Sequence, residues 1–196
     1  MSKKDDFTVK DRYEYLIRAR NFHYDNFNKW TTYFYIAIGA LFVGYCTLLN
    51  AEKDTSLPIK MVLILGYFTS LLWYWSSKGY YYWNINFITL VNECEEKDLD
   101  LKKDERVYFT FANKNTQNNY FIPTSGANIS TSKIAILFAF IVSIFWGVLI
   151  VQEFFKLNTI LNIAIPTVFT ILLSGVIPRM FLKSKIDHFP DLKIKQ

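Results

Sequence analysis

Histidine and cysteine are scarce in this chain: its 196 residues hold two of each. Cys46 lies inside an apolar run and Cys94 on an amphipathic stretch far from it, so no disulfide framework is indicated, and no CxxC or Cys/His cluster offers a metal its ligands. Both cysteines read as small packing residues. His23 and His188 are the side chains that titrate near neutrality unperturbed, and they sit at opposite ends of the chain. His23 is followed by Tyr24 and Asp25 close to an apolar run, where an interfacial hydrogen bond, a headgroup contact and pH sensing are the roles open to it. Also missing are HExxH, GxGxxG, GxxxxGKS/T and GxSxG, each of which would put a reactive group or a phosphate cradle at a known place. These absences argue against an enzyme and give no residue set for a cofactor or metal. The turn Ser125-Gly126-Ala127-Asn128 offers backbone amides to an anion or is simply a turn. Glu93, Glu95, Glu96 and Asp98 lack the alternating ligand spacing of a calcium loop and read as a solvated helix face.

What the chain does have is apolar sequence in long runs. Hydrophobic residues make up 52% and aromatics 18%, which places it among membrane proteins. Pro58 to Ser77 supplies about the 20 apolar residues needed to cross a hydrocarbon core, with Trp73, Tyr74 and Trp75 at the interface. Beyond Lys78 the pattern turns periodic: Trp83, Phe87, Leu90, Val91 and Cys94 recur at helical spacing, so the span is expected to continue as a helix into water against a protein partner. About thirty polar residues precede the first apolar run, so it reads as an uncleaved anchor.

The expected architecture is an all-α membrane protein with four transmembrane helices in two hairpins. Residues 1–30 form an amphipathic helix, expected to pack on the extension of the second span in preference to lying on the bilayer, because its acidic residues dilute a basic face. Residues 31–57 form the first span and a turn, 58–96 the second span with its helical extension, and 97–132 a membrane-proximal segment with a strand-like run at Tyr108 to Ala112. Residues 133–178 hold the third and fourth spans, and 179–196 a polar tail. Lys and Arg number 7, 7 and 5 on one side of this arrangement and 2 and 1 on the other, accounting for all 22. The positive-inside rule then puts both termini and the middle segment in the cytoplasm. The net charge of +5 reads as topology and contact with anionic lipid, with no nucleic-acid partner expected.

Two small or polar stripes lie within the spans. Ala135, Ala139, Ser143 and Gly147 repeat every four residues, a ridge on which another helix approaches closely, expected to serve oligomer packing. Asn158, Asn162, Pro166, Thr170 and Ser174 make the most polar face in the membrane. They either line a pore when several copies surround an axis or bond helices together within one subunit.

Two stretches carry a resemblance. Ala19 to Tyr45, with His23, Tyr24 and Trp30, and Trp73 to Glu96, with Trp75, Tyr80, Asn84, Phe87 and Glu93 or Glu95, look like the bacterial RipA-type octameric membrane proteins. That resemblance implies an inner-membrane homo-oligomer with no established catalysis. A looser likeness in architecture links the chain to small multispan effectors that act by disturbing the membrane. Two functions are then open: a pore or channel-like ring gated from the cytoplasm, as a defence or stress effector, and a non-conducting scaffold whose cytoplasmic crown binds a soluble partner.

Overall fold

The computed structural model describes residues 8–52, 54–107 and 119–182. Helix α1 (Val9–Leu49) opens on a capping box. The Asp11 N–H donates to the Thr8 hydroxyl oxygen at 3.2 Å, while the Thr8 N–H and hydroxyl donate to the Asp11 carboxylate at 2.8 and 2.6 Å. Hydrogen bonds from Thr8 hold that carboxyl below its ordinary range. From there α1 runs 41 residues without a break. The change from charged to apolar sequence at Trp30 is therefore no structural boundary: no proline lies between Val9 and Leu49, and a backbone ladder continues whichever solvent surrounds it.

Helix α2 (Ser56–Lys97) likewise carries the second span and its extension as one 42-residue element, about 60 Å long at 1.5 Å per residue and twice a hydrocarbon core. Pro58 sits in its first turn, where no intrahelical donor is needed. The helix ends where Asp98 and Leu99 both donate to the Cys94 carbonyl, and Asp100 takes a left-handed φ of 51°. Helix α3 (Thr131–Phe155) stops at Lys156, φ 48°, and α4 (Thr159–Ile177) begins at once, with Asn158 Oδ1 accepting from the Leu161 N–H at 3.0 Å. A π-helical turn, Pro178–Leu182, closes the described chain. All four helices are long and apolar enough to cross a membrane, and no strand occurs among the described residues. The strand-like run from Tyr108, His188 and the basic tail lie outside the described residues.

The chain forms two compact units. One takes residues up to Ala37 with Ser76–Ala139; the other takes Ile38–Trp75 with the chain from Phe140 onward. In the second unit Ile59, Leu63, Tyr67 and Leu71, four residues apart on α2, close over Trp146 of α3. Leu41, Tyr45 and Leu48 of α1 and Leu173 of α4 pack around them. Two glycines set how near these helices come. A Cβ on Gly66 would stand 2.5 Å from the Trp146 ring, and one on Gly147 would stand 2.8 Å from the Pro166 side chain and 3.3 Å from that of Tyr67. Lipid is as apolar as leucine, so such close approach is what favours helix on helix over helix on lipid.

Gly66→Ala and Gly147→Ala should therefore each destabilise the fold by about 1–3 kcal/mol through overpacking. Gly79→Ala, with nothing within 4 Å of its added Cβ, should be neutral or raise stability by up to about 1 kcal/mol through helix propensity. Thermal unfolding in one detergent ranks the three; a Gly66→Ala protein that melts with the parent would remove the close-packing account.

Candidate functional site

In the first unit the N-terminal half of α1 lies along the C-terminal half of α2, and their seam is aromatic near the spans and ionic farther out. His23 Nε2 donates to the Tyr80 carbonyl at 3.1 Å; a carbonyl only accepts, so this nitrogen carries a hydrogen. The imidazole also meets the Tyr80 ring at 5.0 Å and the Phe87 ring at 5.3 Å, and Phe27 meets Tyr80 at 5.4 Å. His23, Tyr24, Phe27, Tyr80, Tyr81, Asn84 and Ser132 enclose a void of about 10 Å³, room for about one water. Beside it an open cleft of about 430 Å³ is lined by Arg20, Asn21, Tyr24, Asp25, Asn84 and Ile88, with Arg20 bonded to Asn21.

The outer end of the seam is organised by Glu95, whose exposure is 0%. Its Oε1 accepts from the Tyr13 hydroxyl at 2.9 Å and from the Val107 N–H at 3.2 Å, tying α1, α2 and the segment after α2 to one carboxylate. Oε2 is buried with no hydrogen-bond partner. Two ion pairs flank it: Arg12 to Asp98 at 2.7 Å and Arg106 to Glu96 at 3.2 Å. Burial, with Glu95 beside it, pushes the Tyr13 phenol up to about 12. Burial and a bond to Asp98 likewise raise the Cys94 thiol, keeping it protonated and unreactive.

The expectation of a solvated acidic face is thus corrected at Glu95, while Glu96 and Asp98 are exposed and Glu93 is half-buried, paired with Lys97 at 2.7 Å. The signal was present in the sequence: Phe87, Val91 and Glu95 continue one stripe at intervals of four, so the packed face of α2 extends through the acidic cluster. Of the other motif positions, His23, Tyr24, Tyr80, Asn84 and Phe87 meet in the seam. Trp75 packs on the core of the second unit, and Trp30 is exposed against Tyr33 and Phe34.

The stripes within the spans turn inward in the single chain. Ala139 and Ser143 are fully buried, Ala135 is half-buried, and Gly147 is covered by Pro166 and Tyr67. On α4, Thr170 is 0% exposed and its hydroxyl bonds that of Tyr67 at 2.9 Å. Asn162 Nδ2 donates to the Leu157 carbonyl, while Asn162 Oδ1 and Ser174 Oγ are buried without a hydrogen-bond partner. Asn158 serves as the cap of α4. No group of three or more His, Cys, Asp or Glu side chains among the described residues could hold a metal.

The Tyr13 phenol sets a pH dependence. Raised from its ordinary value of 10 to about 12, it favours the folded state fully below pH 10, and that contribution is lost as pH climbs from 10 to 12, where the unfolded chain releases the proton first. Tyr13→Phe should shrink this alkaline limb and remove one late-titrating phenol from the ultraviolet titration. An unchanged alkaline limb in Tyr13→Phe would refute the clamp.

A family model for the octameric membrane protein family (8xMP) matches residues 10–155, which takes in α1, α2, α3 and the whole Tyr13–Glu95 seam and leaves α4 beyond its end. No curated protein and no solved structure matches the chain. With three-quarters of its length matched and four helices able to span a bilayer, this chain belongs to the octameric membrane protein family.

Proposed function

We propose that the chain assembles with copies of itself in a bacterial inner membrane, both termini cytoplasmic, as a non-conducting scaffold whose helical crown docks a soluble partner. The observation that carries this reading is the Tyr67–Thr170 hydrogen bond: the centre of the most polar transmembrane face is occupied inside one subunit, where it bonds helices and does not meet water. The family's octameric name supports self-association, and the length of α1 and α2 beyond the spans supplies a crown. The crown has an open cleft at its surface, lined by charged and amide side chains.

A pore or channel-like ring, gated from the cytoplasmic side, is the second reading. The buried oxygens of Asn162 and Ser174 favour it, because a polar atom without a partner inside one chain is satisfied once water reaches it.

Ion flux through liposomes, paired with the melting temperature of the oligomer, separates the two. On the scaffold reading the parent protein passes no ions, and Thr170→Val lowers stability by about 0.6 kcal/mol, the usual worth of a hydrogen bond between membrane helices. Flux in the parent protein that Asn162→Leu abolishes at unchanged melting would establish the pore instead. The orientation is tested by fusion: a reporter active only in the periplasm should be silent after Gln196 and active in the turn between α1 and α2. The reverse pattern would overturn the cytoplasmic crown.

A further inference from the structure

The assembled copies still need a contact surface. A closed ring of more than two copies is generated by one rotation, so each copy meets its neighbours through two different surfaces, one on either side. The first unit presents two such surfaces. On α1, Tyr13, Leu16, Arg20, His23 and Phe27 turn toward α2; at 100° per residue the opposite side of the helix carries Tyr15 and Phe22, 62% and 68% exposed. On α2, Tyr80, Phe87, Val91 and Glu95 turn toward α1, and the far side carries Tyr82 and Ile85 with Leu90 at its edge, 42–56% exposed. The two apolar faces point away from each other across the α1–α2 pair. Both lie beyond the apolar runs that cross the bilayer, so lipid tails do not cover them.

A rotation about the membrane normal leaves depth unchanged, so the two faces must match level by level. The seam fixes the levels: His23 lies between Tyr80 and Phe87, Tyr13 beside Glu95, and Arg12 beside Asp98. Phe22 is then level with Ile85, and Tyr15 falls between Leu90 and Lys97. Arg18 lies within a turn of Glu93, and Asp11 is level with Lys97. Phe22 against Ile85 sets apolar on apolar and Asp11 against Lys97 sets acid on base, while Arg18 and Lys97 also keep their partners Glu14 and Glu93 within the chain.

From this we infer that the Tyr15–Phe22 face of one copy packs on the Tyr82–Leu90 face of the next, and that the ring closes through these extramembrane helices. The inference rests on the self-assembly proposed above and names its contact. With the spans' small-residue ridge already buried inside the subunit, this contact gives the assembly its specific interface.

The test is disulfide cross-linking of the full chain in membranes, with Cys46 and Cys94 replaced by alanine. Phe22→Cys and Ile85→Cys are made as separate, differently tagged proteins and co-expressed; Tyr15→Cys with Leu90→Cys is the second pair, and all four positions are exposed, so folding is not at risk. Oxidation should give cross-linked dimers of unlike tags in the co-expressed sample and none in either variant alone. The double variant Phe22→Cys/Ile85→Cys should give a ladder of multimers. A native-sized oligomer with no unlike dimer for either pair, or like-with-like dimers from a single variant, would overturn this contact while leaving self-assembly standing. A monomer in native mass measurement would overturn the self-assembly itself.

Discussion

Two helices of more than forty residues each must satisfy two solvents, and the rest of the structure depends on how they do so. Inside the bilayer no apolar side chain gains by leaving lipid, so cohesion comes from close approach. Gly66 lets the Trp146 ring lie on the α2 backbone, and Gly147 lets Pro166 and Tyr67 reach α3. Pro166 leaves the Asn162 carbonyl without its usual helical donor, and the Tyr67–Thr170 bond, one turn farther on, ties α4 to α2 at the same stretch. Polar groups there join helices already in contact; each bond is worth only tenths of a kcal/mol, and the packing decides the arrangement.

Outside the bilayer the same two helices regain the hydrophobic effect, and their seam changes accordingly. Tilted rings of His23, Phe27, Tyr80 and Phe87 meet where the pair leaves the apolar runs, and a buried carboxylate finishes it. Glu95 would be costly alone in such a place. Tyr13 and the Val107 amide satisfy one oxygen, and the Arg12 and Arg106 pairs bring positive charge to either side. A group that is expensive when unpaired also specifies register, because sliding α1 by one turn would leave Glu95 without Tyr13. The clamp thus aligns the outward faces of α1 and α2 level by level.

Much of this was legible in the sequence. The four spans are apolar runs of the right length, and the continuation of α2 past Ser77 is written in the periodic Trp83, Phe87, Val91 and Cys94. The family was legible too, because its aromatic entry and exit residues are local in sequence. What the sequence concealed depends on distant partners. Glu95 looks like one acid among four until Tyr13, 82 residues away, is placed against it. Thr170 looks like a candidate for a water path until Tyr67, 103 residues away, takes its hydroxyl. The Ala135–Gly147 ridge announced a close approach without saying whose helix approaches. The unity of α1 was hidden by composition: charge and apolarity change at Trp30, but the helix backbone does not register the change.

The central claim is that this chain is joined to its copies by the water-exposed faces of α1 and α2, while Thr170, at the centre of the polar face of α4, is bonded to Tyr67 inside each subunit. Electron cryo-microscopy of the assembly in lipid nanodiscs tests it most directly. The account predicts a closed ring in which each copy's Phe22 meets the next copy's Ile85, with no continuous water path along α4. A ring joined through α4, with Asn162 and Ser174 lining a wet axis and the α1 and α2 faces open to solvent, would contradict it.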